Sequence, residues 1–151
     1  MNSRVLILGS MPGVESLNQQ QYYAHPRNLF WEFMGELFGA DRDLLYEERL
    51  AVLRRNGVAL WDVAHTCRRE GSLDANMMDV EANDFRALFT EAPHIHTVFF
   101  NGQKAAALFR KLVQPKLQLK LKMISLPSTS PANASISIEA KRRAWRQIKS
   151  P

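Results

Sequence analysis

The sequence predicts an α/β fold, a four-stranded parallel sheet with helices on both faces. Two observations predict it. Four short apolar runs, each followed by turn residues, have the composition of buried strands. Amphipathic helical patterns lie between them, and such alternation builds a parallel sheet covered on both sides. The 151 residues suit one domain, 1–151, around one core.

The elements follow in order. Arg4–Leu8 is the first strand. Leu29–Phe38 carries Phe30, Phe33, Met34, Leu37 and Phe38 at spacings of three and four, the apolar stripe of a helix. Leu44–Arg55 repeats the pattern with Leu45, Leu50 and Leu53 among charges. Val58–Trp61 is the second strand, and Asp84–Thr90 a short helix. Thr97–Phe100 is the third strand, followed by a helix over Gln103–Val113. Leu121–Leu126 is the fourth, followed by a helix over Ile138–Ile148.

Composition narrows the function. A single cysteine, Cys67, excludes an internal disulfide, an iron–sulfur cluster and any zinc site needing several thiolates. No apolar run approaches the roughly 20 residues of a membrane span. "VLILG" is too short for a signal-peptide core. A reducing cytoplasm is the expected home. The net charge of +5 and clustered cations, as in Lys141-Arg142-Arg143, permit a polyanionic partner such as nucleic acid. They equally permit a solubilising surface.

Ligands of open parallel sheets bind beyond the carboxyl ends of the strands. Four segments stand there. "GSMPG" (9–13) makes a tight turn with backbone N–H groups available, but lacks both phosphate-loop signatures. "DVAHT" opens on Asp62, a ligand acceptor or a turn carboxylate. His65, nearby, is read as structural. "NGQKA" opens on Asn101, either a reader of an amide-like base edge or a cap for the next helix. "PSTSPANAS" offers small hydroxyls stiffened by two prolines, a composition suited to phosphate oxygens, with a basic helix beyond it.

Taken with "YYAHPRNLFW", these segments resemble the uracil-DNA glycosylase superfamily over nearly the whole chain. "AHPRNLFW" resembles the "HPxNxFW" element of the mismatch-specific uracil/thymine branch. "GSMPGVESL", "HPRN" and "STSPAN" together resemble the hypoxanthine-DNA glycosylase branch more closely.

The resemblance implies a three-layer α/β/α sandwich on a central four-stranded parallel sheet. It implies a monofunctional hydrolase that cuts the N-glycosidic bond of a deaminated base, foremost hypoxanthine, in double- or single-stranded DNA. Such enzymes flip the nucleotide out of the stack. No cofactor, no metal and no membrane are expected, and the expected state is a monomer.

Residue by residue, the resemblance assigns catalysis to Asn28, as holder of the attacking water, with Asn101 assisting. Ser10, Met11, Tyr23, Asp62 and Asn101 would bind the base, Tyr23 by stacking. Met11 stands where several branches keep an acidic residue or asparagine, so the first segment offers backbone rather than a water-holding side chain. Ser128, Thr129, Ser130, Pro131, Ala132 and Asn133 would contact DNA, with 131–133 filling the gap that the flipped base leaves. The last segment lacks the histidine that other branches use on a uracil oxygen. Two alternatives stand: a mismatch-type uracil/thymine glycosylase, and a module that binds damaged DNA without cutting it. Asn28 carries its own ambiguity, since an asparagine at a helix entrance also serves as a cap.

Overall fold

The computed structural model describes residues 2–11, 14–69 and 77–150, without the side chains of residues 14, 15, 65–69 and 77–80. Pro12 and Gly13 of the first strand-end turn, and the side chain of His65, lie outside what is described.

The chain runs β1 (Val5–Gly9), α1 (Val14–Gln19), α2 (Phe30–Phe38), α3 (Tyr46–Arg55), β2 (Val58–Asp62), β3 (Ala64–Arg69), β4 (Met77–Ala82) and α4 (Phe85–Glu91). It continues through β5 (Thr97–Asn101), α5 (Gln103–Leu112), a 3₁₀ turn (Gln114–Lys116), β6 (Lys122–Leu126), α6 (Ile138–Trp145) and a second 3₁₀ turn (Arg146–Lys149). The four expected strands form one parallel sheet in the order β2-β1-β5-β6.

The strand period of two explains the layers. Val5 and Ile7 face one side with Phe30, Trp31, Phe33, Leu53, Phe99 and Trp145. Leu6 and Leu8 face the other with Phe85, Phe89, Val98, Phe100 and Phe109. Leu6, Ile7 and Leu8 are fully buried, which is why this strand reads as an unbroken apolar run. Each such side chain contributes about 1.5–3 kcal/mol by leaving water.

The structure corrects the expected elements in three ways. Strands β1, β2 and β5 extend one residue further at their carboxyl ends, so Asp62 and Asn101 are strand residues. The last helix tightens into a 3₁₀ turn after Trp145. Helix α1 and the antiparallel pair β3·β4 were not expected. The pair has irregular register between Ala64 and Arg68; AHTCRR lacks the apolar alternation that announces a strand, whereas MMDVEA alternates over Met78–Ala82, a short signal that the sequence reading did not use.

Candidate active site

Parallel register brings the strand ends together. Gly9 of β1 pairs with Asp62 of β2, and Asn101 of β5 with Leu126 of β6. Beyond Asp62 the chain stays close, because Val63 N donates to Gly9 O at 2.8 Å and Ala64 N to Ser10 O at 3.0 Å. These bonds fix the backbone of Gly9 and Ser10, while Ser10 and Met11 remain partly exposed at the site's edge.

Asp62 is 7% exposed, so it is no solvated turn carboxylate. Its backbone carbonyl accepts from Asn83 Nδ2 at 2.7 Å. Gly9 is required by this crowding: a methyl in place of its hydrogen would lie 2.6 Å from Asp62 Oδ1 and 3.1 Å from Tyr23 Oη. The Asp62 carboxylate and the Tyr23 hydroxyl therefore converge on one spot above the β1 terminus.

Tyr23 is held there against its own backbone preference. Its φ is +55°, a left-handed conformation uncommon for a bulky residue. Packing compensates, since its ring stacks on Phe30 at 4.2 Å between centroids. The neighbouring Tyr22 is anchored twice: its N–H donates to Tyr46 Oη at 3.0 Å, and its carbonyl accepts from Trp31 Nε1 at 2.9 Å. The Tyr23 hydroxyl is buried and makes no hydrogen bond of good geometry among the described residues. Burial, and next the negative charge of Asp62, push the Tyr23 phenol far above its ordinary range; the nearby Asn101 amide pulls weakly the other way. Tyr22 is pushed up by burial, then Asp62, then Tyr46. Both phenols stay protonated and neutral.

Asn28 sits at the entrance of α2. Its Oδ1 accepts from Phe30 N at 2.9 Å, so it satisfies the first amide of the helix from one residue before the Leu29 N-cap position. A carbonyl oxygen has two lone pairs, and one such bond leaves the second available. The turn around it is braced from three sides. Asn28 N donates to His25 O at 2.9 Å, Leu29 N to Thr129 O at 3.0 Å, and Arg42 Nη2 to the Asn28 carbonyl.

Asn101 does not cap α5; that place belongs to Gly102, whose φ of +95° suits glycine. Instead Asn101 Oδ1 accepts from Thr129 N, and Asn101 Nδ2 donates to Thr129 Oγ1, both at 2.9 Å. Thr129, expected among the DNA-contacting residues, is thereby engaged within the protein. Thr129 is 0% exposed, and its hydroxyl and amide face Asn101. It is a brace tying the β5 end, the β6 loop and the Asn28 turn together. Ser128 and Ser130 also use their hydroxyls locally, accepting from Ser130 N and Ala132 N. Pro131 and Ala132 form the exposed tip, and Asn133 folds back with Nδ2 3.4 Å from Ser128 O.

The basic helix is less free than its composition suggests. Lys141 is 3% exposed and donates to Asn133 O; burial lowers its pKa. Arg142 is gripped by Glu32, Glu36 and Glu139. Arg143 and Arg146 remain exposed. Among the described residues no cluster of three His, Cys, Asp or Glu gathers as a metal site would need, and no helix is long and apolar enough to cross a membrane.

Sequence reasoning did not single out Tyr46, or Trp31 as an anchor of the tyrosine loop. Apolar periodicity marked Trp31 only as core, and nothing local marks Tyr46.

Comparison with known proteins places this arrangement among relatives. The family model of the uracil DNA glycosylase superfamily matches residues 1–149. A hypoxanthine DNA glycosylase of Methanosarcina acetivorans is 40% identical over 148 residues, covering 97% of this chain and 90% of that protein. One of Methanosarcina barkeri is 37% identical over 147 residues, with the same coverage of both. A solution NMR structure of a candidate uracil DNA glycosylase from M. acetivorans superimposes with a TM-score of 0.79 at 36% identity, covering 98% of this chain and 92% of that one.

Proposed function

The chain belongs to the uracil DNA glycosylase superfamily, and from that premise we propose that it releases hypoxanthine from deoxyinosine in DNA. The observation that carries the base preference is the likeness, over 97% of the chain, to two relatives named hypoxanthine DNA glycosylase. The convergence of Asn28, Tyr23, Asp62 and Asn101 at the strand ends supplies the chemistry. Double-stranded DNA is the proposed substrate, with the nucleotide extruded before cleavage.

The extruded purine would stack on the Tyr23 ring, backed by Phe30. Stacking of this kind contributes about 1–3 kcal/mol. The Asp62 carboxylate is an acceptor suited to the N1–H of hypoxanthine, where adenine presents only a lone pair. Asn28 Oδ1, oriented by the Phe30 amide, would accept a hydrogen bond from the attacking water with its second lone pair. An amide is a poor base, so its part is positioning. The C1′–N9 bond breaks as the water oxygen bonds to C1′, and the water's proton ends on the departing base. Negative charge grows on that base; the Asn101 N–H not used by Thr129 is a donor of the right kind to stabilise it. The Pro131-Ala132 tip would enter the space vacated in the duplex.

The test is single-turnover release of base from a duplex containing one deoxyinosine, alongside uracil, xanthine and mismatched thymine duplexes. Hypoxanthine should be released fastest. Faster release of uracil or thymine would move the chain to the mismatch branch. Tight binding without release of any base would make it a damage-binding module.

A further inference from the structure

The cations expected beside the hydroxyl loop are partly committed inside the protein: Lys141 to the Asn133 carbonyl and Arg142 to three glutamates. A different pair stands at the Asn28 turn, held by neutral groups. Arg42 precedes α3 and donates to the Asn28 carbonyl. Arg49 lies in the second turn of α3, with Cζ 4.7 Å from the Trp31 ring centroid and 5.3 Å from that of Tyr46. Its Nε is buried and has no hydrogen-bond partner among the described residues. Among the described residues neither guanidinium forms an ion pair, although Asp41, Asp43, Glu47 and Glu48 are close in sequence.

The two cations act on each other. Arg49 holds its proton less tightly than an ordinary arginine, first through burial and then through the charge of Arg42. Ring faces and a backbone carbonyl fix both groups, and neither supplies a full negative charge. A phosphate oxygen would relieve that repulsion, and guanidinium groups suit phosphate geometry.

We propose that Arg42 and Arg49 form a clamp for one DNA phosphodiester at the rim of the site, beside the extruded nucleotide. The clamp shares the Asn28 turn with the proposed water-positioning side chain, so gripping the backbone and presenting the sugar become one geometric act. The choice of DNA as the phosphate's source rests on the proposed function.

The experiment measures binding of the full chain to an undamaged duplex across a salt series. Undamaged DNA keeps the result independent of base preference. Replacing both arginines (R42Q with R49Q) should flatten the slope of log K against log salt by about 0.9, the contribution of one phosphate. The R42K with R49K pair keeps charge while losing ring stacking and should keep the slope. R110Q with K111Q removes equal charge from the last turn of α5, which runs back to the opposite end of the sheet; this pair should also keep it. An unchanged slope in the glutamine pair would overturn the clamp. So would an equal loss in the lysine pair, which would assign the effect to folding, or in the control pair, which would assign it to net charge. A wild type that binds with a steep slope and loses it in the glutamine pair, yet releases no hypoxanthine, would sink the proposed function and leave the clamp standing.

Discussion

Replacing Asn28 by serine separates two jobs that one side chain holds in the proposed mechanism. Its Oδ1 caps α2 through the Phe30 amide at 2.9 Å, and the same oxygen would hold the attacking water. Serine caps about as well as asparagine, whereas removing a cap to alanine costs about 0.5–2 kcal/mol. A domain of this size loses about 2–4 °C of Tm per kcal/mol. Asn28→Ala should therefore melt about 1–8 °C below wild type, and Asn28→Ser within about 2 °C of it. Serine is shorter, and drawing its hydroxyl to the Phe30 amide withdraws the oxygen from the water by about 1 Å or more. Misplacement on that scale costs about 100-fold in rate. The assay pairs thermal melts with single-turnover release of hypoxanthine from a deoxyinosine duplex. Both variants should lose about 100-fold or more in rate, and only alanine should lose stability clearly. A serine variant that cleaves at the wild-type rate would reduce Asn28 to a cap and refute the reasoning.

Three further outcomes are expected. Gly9→Ala sets a methyl 2.6 Å from Asp62 Oδ1; denaturant unfolding should register an overpacking loss of about 1–3 kcal/mol, and affinity for inosine DNA should fall with it. Thr129→Val keeps shape but strands the Asn101 amide, so unfolding should show a loss of about 1–2 kcal/mol, with coupling to Asn101→Ala in a double-mutant cycle. The third concerns alkali. Tyr23 ionises far above the ordinary 10.0 when folded, so the unfolded chain gives up the proton first; the stability from its neutral phenol is full below pH 10 and drains as pH climbs past it, by about 1.4 kcal/mol per unit. Comparing urea unfolding of wild type and Tyr23→Phe at pH 10 and 11, the variant should be spared about 1 kcal/mol of the loss; equal losses would deny the burial of that phenol.

Much of the fold was legible because burial writes itself into sequence. A strand covered on both faces must be apolar throughout, as Val5–Leu8 is, and α2 must repeat apolar residues at three and four, as Phe30, Phe33 and Met34 do. The strand-end segments were legible too, since topology alone sends ligands there. The β3·β4 pair was missed because AHTCRR offers no period and the alternation of Met78–Ala82 is only five residues long.

What the sequence by itself determined is the layer order, the four strands and the shortlist of polar residues above them. Tertiary structure alone decided how those residues divide their work. Thr129 and Pro131 share one polar loop, yet one is wholly buried against Asn101 and the other exposed. Lys141 and Arg143 share one basic helix, yet one is spent on the Asn133 carbonyl while the other faces solvent. Arg42 and Arg49 gain significance only from the Asn28 carbonyl and the Trp31 ring they meet in space. The physical reason is common to all. Whether a polar side chain braces its own fold or faces a ligand depends on which partners lie within about 3 Å, and those partners come from segments that sequence spacing does not connect.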